Sequence, residues 1–161
     1  MYPVINLLPE RTKPVMGAET VPPSVLAAHL AAMVPGKIVT SATPYARMDI
    51  AISVVQQKLL RQFWGDDERI DLHKLLEKAK EEDVPYTLIL HGDEDTMVPI
   101  GGTREWVELV KKKFGDKTAE KFDIHIEPGA EHGFDVAVPL ETEWLQEKLK
   151  KVTEVWLGKS A

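Results

Sequence analysis

Three stretches in the first half of the chain have the three-to-four-residue hydrophobic spacing of amphipathic helices. The first follows Pro22-Pro23-Ser24 and stops at Pro35-Gly36, and the second runs from Met48 to Phe63. The third begins after Asp71, a residue type that caps helix N-termini by accepting hydrogen bonds from backbone N–H groups. The pattern therefore predicts three helices before residue 84.

The second half of the chain is predicted to alternate strands with helices. Tyr86 to Leu90 is a continuous apolar run, typical of a strand buried on both faces of a parallel sheet. Phe122 to Ile126 alternates apolar and polar residues, which also indicates a strand. Helices are predicted from Thr103 to Phe114 and from about Pro139 to Leu157. Their expected buried faces are Trp106, Val107, Val110 and Phe114 in the first, and Leu140, Trp144, Leu145, Leu149, Val152 and Trp156 in the second.

Residues suited to acid–base chemistry follow both predicted strands. The first strand leads into His91-Gly92 and then Asp93, Glu94 and Asp95, and the second leads into a loop that contains His132. The carboxyl ends of neighbouring parallel strands meet at one edge of a sheet, where functional groups gather. An aspartate can there orient an imidazole so that it accepts a proton. We expect Asp95 and His132 to form this pair, with Asp93 as the rival acid.

The two motifs resemble the C-terminal part of an α/β-hydrolase, in its esterase/lipase-like or prolyl-oligopeptidase-like branches. They are His91-Gly92-x-x-Asp95-x-x-Val98-Pro99 and Gly129-Ala130-Glu131-His132-Gly133-Phe134, and the resemblance extends over about Val84 to Leu157. It implies an α/β fold with two to three mainly parallel strands, Asp95 as the triad acid, His132 as the triad base, and an ester or other small acyl substrate in the intact family. It implies no cofactor and no metal.

The same resemblance implies a division of the chain into two segments. Residues 1–83 would form a helical cap or insertion with a remnant strand at Met1 to Ile5, and residues 84–161 would form the hydrolase core. A sheet that lacks the family's other strands would leave an edge and helix faces uncovered, so we expect self-association through the sheet edge.

One part of the family pattern is missing from these residues. The nucleophile of the family lies in Gly-x-Ser-x-Gly, and the nearest approach here is Gly101-Gly102-Thr103-Arg104-Glu105, after the acid. We therefore expect a hydrolase fragment that is inactive alone, whether from a truncated gene model or a degenerate gene. The alternatives are a split hydrolase completed by another chain, a non-catalytic binding or regulatory protein, and, remotely, a metal-dependent hydrolase. The last would use His91, Asp93, Asp95, Glu131 and His132.

Composition narrows the remaining function classes. A net charge of −6 over 161 residues argues against binding to nucleic acid or to an anionic membrane. The chain has no cysteine, which fits a reducing compartment, and no apolar stretch of transmembrane length. These features lead us to expect a cytoplasmic protein.

Overall fold

The computed structural model describes residues 13–37, 47–65 and 67–158. Its contacts divide the chain into two compact units, one formed by Leu7–Asp66 and one by Met1–Asn6 with Asp67–Ala161. The functional division into 1–83 and 84–161 stays a prediction, and the expected strand at Met1 to Ile5 lies outside the described residues. No helix in the described ranges is long and apolar enough to cross a membrane.

The first unit is helical where it is described. It contains a short 3-10 helix at Val15–Gly17 and the helices α1 (Pro23–Ala31), α2 (Met48–Gln56) and α3 (Leu60–Trp64). Helices α1 and α2 pack together and bury Leu26, Ile52 and Val55. The side chain of Gln56 adds a connection, because it accepts a hydrogen bond from the backbone N–H of Val21 at 2.8 Å and donates to the carbonyl of Glu19 at 3.1 Å.

The prediction of one continuous helix from Met48 to Phe63 was wrong. Lys58 has a φ of 58°, in the left-handed region. The N–H of Lys58 bonds to the carbonyl of Val55 at 3.1 Å and that of Leu59 to the carbonyl of Val54 at 2.9 Å. This pair of bonds is the Schellman motif that ends helices. The chain therefore stops α2 and restarts in α3, and Phe63 is 48% exposed.

The second unit has an α/β arrangement. Its elements are α4 (Leu72–Lys78), a 3-10 helix (Glu81–Asp83), β1 (Thr87–Gly92), α5 (Ile100–Phe114), α6 (Asp116–Ala119), β2 (Phe122–Glu127), a second 3-10 helix (Phe134–Ala137) and α7 (Glu143–Trp156). The two strands pair in parallel, from Thr87 opposite Phe122 to Gly92 opposite Glu127. This confirms the predicted strand–helix–strand order and brings the ends of both strands to one edge.

Helices α5 and α7 cover opposite faces of this two-stranded sheet. Val110 of α5 is fully buried and forms a hydrophobic core with Leu76 and Val84. The partly buried residues that pack around this core are Trp106, Leu109, Phe114 and Phe122. The expected complete burial of the first strand holds for Ile89, which is 2% exposed, whereas Leu88 and Leu90 are only partly covered. Within the described ranges the sheet is two strands wide, so neither strand is flanked on both sides.

Helix α4 is held at both ends by side chains. The carboxylate of Asp71 accepts hydrogen bonds from the backbone N–H groups of His73 and Lys74, which confirms the predicted N-cap. At the other end, the ammonium of Lys113 donates to the carbonyls of Leu76, Glu77 and Ala79 at 2.5, 2.8 and 2.9 Å. A cation at this position satisfies terminal carbonyls and complements the helix dipole. Lys113 therefore joins α5 to α4.

The polar face of β2 lies beneath α7. Asp123 is paired with Lys148 at 2.5 Å and Lys151 at 3.1 Å. The imidazole of His125 stacks on the indole of Trp144, with ring centroids 3.7 Å apart and planes 7° from parallel. The polar residues of this alternating strand therefore form ion pairs and a ring stack with a helix.

The buried stripe predicted for the last helix was wrong for three of its six residues. Helix α7 begins only after Thr142, so Leu140 precedes it and is 67% exposed. Leu145 is buried, but Leu149 and Trp156 are 39% and 71% exposed, because the narrow sheet covers only part of the helix. Trp156 is nevertheless anchored, since its indole N–H donates to the carbonyl of Tyr86 at 2.8 Å.

Replacing Asp123 with asparagine should lower stability in a pH-dependent way. Burial alone raises the pKa of the Asp123 carboxyl, but its bonds to Lys148 and Lys151 outweigh burial and hold the pKa below 3.8. Because the folded pKa is the lower one, the stabilisation is complete above the unfolded pKa and is lost as pH falls through the folded pKa. We expect Asp123→Asn to lose about 1–2 kcal/mol at pH 7 and a smaller amount near pH 2, measured by urea unfolding. Glu154→Gln, at an exposed pair 3.9 Å long, is the control and should change stability by less than about 0.5 kcal/mol at either pH.

Candidate active site

The turn after β1 fixes the carboxylate of Asp95. Its side chain is inaccessible to solvent, and Oδ1 accepts hydrogen bonds from the backbone N–H groups of Met97 at 3.0 Å and Val98 at 2.7 Å. Aspartate favours such turns because its side chain can accept from N–H groups two and three residues ahead. The spacing Asp95-x-x-Val98 therefore forms a turn that is closed by Oδ1 of Asp95. The second carboxylate oxygen, Oδ2, does not take part in closing this turn.

That second oxygen lies against His132. The Nδ1 atom of His132 is 2.9 Å from Oδ2 of Asp95, and the imidazole side chain is 22% exposed. An ionised carboxylate can only accept, so Nδ1 carries the proton and donates it. In the neutral ring, Nε2 is then the basic nitrogen. The structure thus brings together the two residues that the sequence paired.

His91, at the end of β1, contacts the turn that contains Asp95. Its Nε2 is 2.7 Å from the carbonyl oxygen of Val98 and 3.5 Å from Oδ2 of Asp95, and its ring is fully buried. A carbonyl only accepts, so Nε2 carries a proton, and in the neutral ring the hydroxyl of Thr103 donates to Nδ1 at 3.2 Å. His91 is therefore a hydrogen-bonding residue at the end of β1. Thr103, from the nearest approach to a nucleophile motif, is buried in α5 against this ring.

Backbone hydrogen bonds join the turn after β1 (residues 93–98, the acid turn) to the loop after β2 (residues 128–133, the histidine loop). The N–H of Asp93 donates to the carbonyl of Glu127 at 3.2 Å, and the N–H of Glu94 to that of Ala130 at 3.1 Å. The carboxylate of Asp93 accepts from the N–H of Gly129 at 2.6 Å. Asp93, the rival acid, therefore holds the loop, whereas Asp95 contacts the imidazole.

Glu131 makes a second connection between the two loops. Its Oε2 accepts from the backbone N–H of Thr96 at 3.0 Å and from that of His132 at 2.7 Å, and its Oε1 accepts from the Thr96 hydroxyl. Sequence reasoning considered Glu131 only as a metal ligand. Its position before His132 was visible, but its contact with a residue thirty-five positions earlier required the strand register.

The described residues contain no group of three or more acidic or histidine side chains arranged to hold a metal ion. Of the five residues named for a metal site, Asp93 and Glu131 direct their carboxylates to backbone N–H groups, and His91 binds a carbonyl. All five side chains make hydrogen bonds at the end of β1 or in the two loops that follow the strands.

Two parallel strands joined by a helical crossover are compatible with part of an α/β-hydrolase domain. The family model for the prolyl oligopeptidase family matches residues 36–152, well over half of the chain. The chain belongs to the prolyl oligopeptidase family. Searches of curated proteins and of solved structures returned no match.

Gly92 should be intolerant of any side chain. A Cβ atom built there would lie 2.1 Å from the carbonyl oxygen and 2.6 Å from the carbonyl carbon of Ala130, both backbone atoms. We expect Gly92→Ala to destabilise by about 1–3 kcal/mol, because the histidine loop must move away. Gly101→Ala is the matched control, since its Cβ meets nothing within 4 Å and alanine favours α5. Urea unfolding should show equal or greater stability for Gly101→Ala, and equal losses in both variants would contradict the close approach.

Proposed function

We propose that this chain supplies the acid and the general base of a serine-hydrolase catalytic centre. The observation that carries the proposal is the 2.9 Å contact between Nδ1 of His132 and Oδ2 of the buried Asp95 carboxylate. Asp95 would hold the ring in the tautomer that leaves Nε2 basic and would stabilise the imidazolium once it forms. His132 would accept the proton of an attacking hydroxyl and return it to the leaving group.

The reaction is acyl transfer to a serine followed by hydrolysis. In this reaction the serine oxygen bonds to the carbonyl carbon as its proton moves to His132, and the leaving group then departs with that proton. Carboxylic esters are the substrate class we propose first, because the turn and loop motifs resemble the esterase/lipase-like branch. Membership of the prolyl oligopeptidase family favours a second candidate, the peptide bond of short peptides.

The nucleophile is not provided by a Gly-x-Ser-x-Gly motif in these 161 residues. We therefore propose that the 161-residue chain alone has no useful turnover, since a base without a nucleophile and oxyanion donors gives water little help. Loss of triad members costs roughly 10⁴-fold even where an oxyanion hole remains. A serine from another polypeptide would complete the centre in a split enzyme, whereas a purely binding or regulatory role needs none.

The test is a comparison of the chain with His132→Ala on short aryl esters, on a prolyl aryl amide and with a fluorophosphonate probe for activated serines. We expect no turnover and no labelling above background for either protein, with or without a chelator. Turnover or labelling that disappears in His132→Ala would overturn the proposed inactivity. Turnover that only the chelator abolishes would instead favour the metal-dependent alternative.

A second arm tests the acid–base assignment itself. A separately expressed polypeptide that carries the nucleophile motif and oxyanion segment of an α/β-hydrolase would be mixed with the chain. We expect ester turnover only in the mixture, with its loss in His132→Ala and in Asp95→Asn. Asp93→Asn serves as the matched control, because Asp93 bonds to Gly129 and should retain most of the turnover. Equal turnover for mixtures with wild type and His132→Ala would contradict the assignment.

A further inference from the structure

Glu131 stands beside the Asp95–His132 pair without contacting either carboxylate or imidazole in the hydrogen bonds described above. It connects Thr96, the residue after the acid, with the backbone of His132, the base. Thr96 is next to Asp95 in sequence, and His132 is itself a member of the pair. The Glu131 carboxylate therefore links the two loops close to the hydrogen bond between Asp95 and His132.

The three hydrogen bonds use both oxygens of the Glu131 carboxylate. Oε2 receives two backbone N–H groups, from Thr96 at 3.0 Å and His132 at 2.7 Å, and Oε1 receives the hydroxyl of Thr96. Bonds from N–H groups to a charged acceptor are stronger than neutral ones, and those here are part-buried. They restrain the backbone at His132, so they restrain the direction in which its imidazole leaves the loop.

We propose that Glu131 is a positioning residue that holds His132 in reach of Asp95 by tying the histidine loop to the acid turn. The inference rests on the proposed function, because it concerns the same Asp95–His132 pair. A functional contact has to be held to within about half an ångström, and two loops at strand ends lack the stiffness of the strands themselves. Asp93 and Glu94 fix the start of the histidine loop at Gly129 and Ala130, whereas Glu131 fixes the position of His132.

Hydrogen-bond geometry provides a conservative variant. A glutamine at position 131 can place its amide oxygen where Oε2 lies and accept both N–H groups. Its amide nitrogen can then donate to the Thr96 hydroxyl, which turns round to accept. Glu131→Gln should thus keep all three bonds without the charge, and Glu131→Ala should lose all three.

The experiment measures the tautomer of His132 directly, in the full chain labelled with nitrogen-15. In wild type we expect Nδ1 of His132 to carry the proton and to show a slowly exchanging, hydrogen-bonded imidazole N–H signal. Glu131→Ala should lose that signal and mix the two neutral tautomers, whereas Glu131→Gln should retain it. Glu105→Ala, on the exposed surface of α5, is the control for deleting a glutamate and should match wild type. Asp95 contacts the ring, Glu131 accepts from the backbone N–H of His132, and His91 lies 3.5 Å from Asp95, so all spectra are recorded at one pH.

The outcomes separate the inference from the function on which it depends. Retention of the signal in Glu131→Ala would overturn the positioning role and leave the Asp95–His132 pair intact. Absence of the Nδ1 proton in wild type would overturn the proposed pair itself. Loss of the signal in Glu131→Gln as well as in Glu131→Ala would also overturn positioning by hydrogen bonds, and would assign the effect to charge.

Thr96 provides a milder test in case Glu131→Ala does not fold. Thr96→Val removes only the hydroxyl bond to Glu131, and Thr96→Ser keeps it. We expect the imidazole N–H of His132 to exchange with solvent about tenfold faster in Thr96→Val than in Thr96→Ser, the size of effect that one lost bond to a carboxylate produces. Equal exchange rates in the two variants would overturn the proposal.

Discussion

The close contact between the two loops that follow β1 and β2 is the constraint on which the site depends. Gly92 lets the backbone of Ala130 approach within a distance that no side chain would permit. Hydrogen bonds donated by the N–H groups of Asp93 and Glu94, and others accepted by the carboxylates of Asp93 and Glu131, join one loop to the other. The Asp95–His132 contact depends on this close approach of the loops. A direct hydrogen bond of 2.9 Å between the two side chains would be lost if the loops separated enough for a water molecule to enter.

The proximity of Asp95 and His132 could be predicted from the sequence because each residue follows a strand signal. A strand followed by a glycine and an Asx turn predicts a rigid acidic loop, and parallel strands predict that a second loop lies beside it. Glu131 could not be assigned in the same way. Its partner is Thr96, and only the register of β1 against β2 determines which residues of the two loops meet.

The errors in the predicted fold arise because hydrophobic spacing determines neither where a helix ends nor what covers its apolar residues. Hydrophobic spacing predicted a single helix through Lys58, but backbone hydrogen bonds favoured a left-handed residue and a stop at that point. The same spacing predicted a buried stripe along α7, although burial of Leu149 and Trp156 requires a wider sheet than the described residues provide. Asp123 and His125 are polar residues of β2 that a helix nevertheless covers. Lys148 of that helix pairs with Asp123, and Trp144 stacks on His125.

The bend between α5 and α6 and the two segments that carry Asp95 and His132 differ in how much change in length they can absorb. The crossover formed by α5 and α6 contacts the loops through Thr103 and His91, and its far end at Gly115 and Asp116 lies in an exposed bend. Because this bend is exposed, residues added there should leave the strand register and the loop contacts unchanged. A single residue inserted between Gly92 and Asp95, or between Glu127 and His132, would displace one partner by the rise of one strand residue, about 3.3 Å. Length variation among homologous chains should therefore accumulate at the bend, and the two short segments that carry the acid and the histidine should keep a constant length.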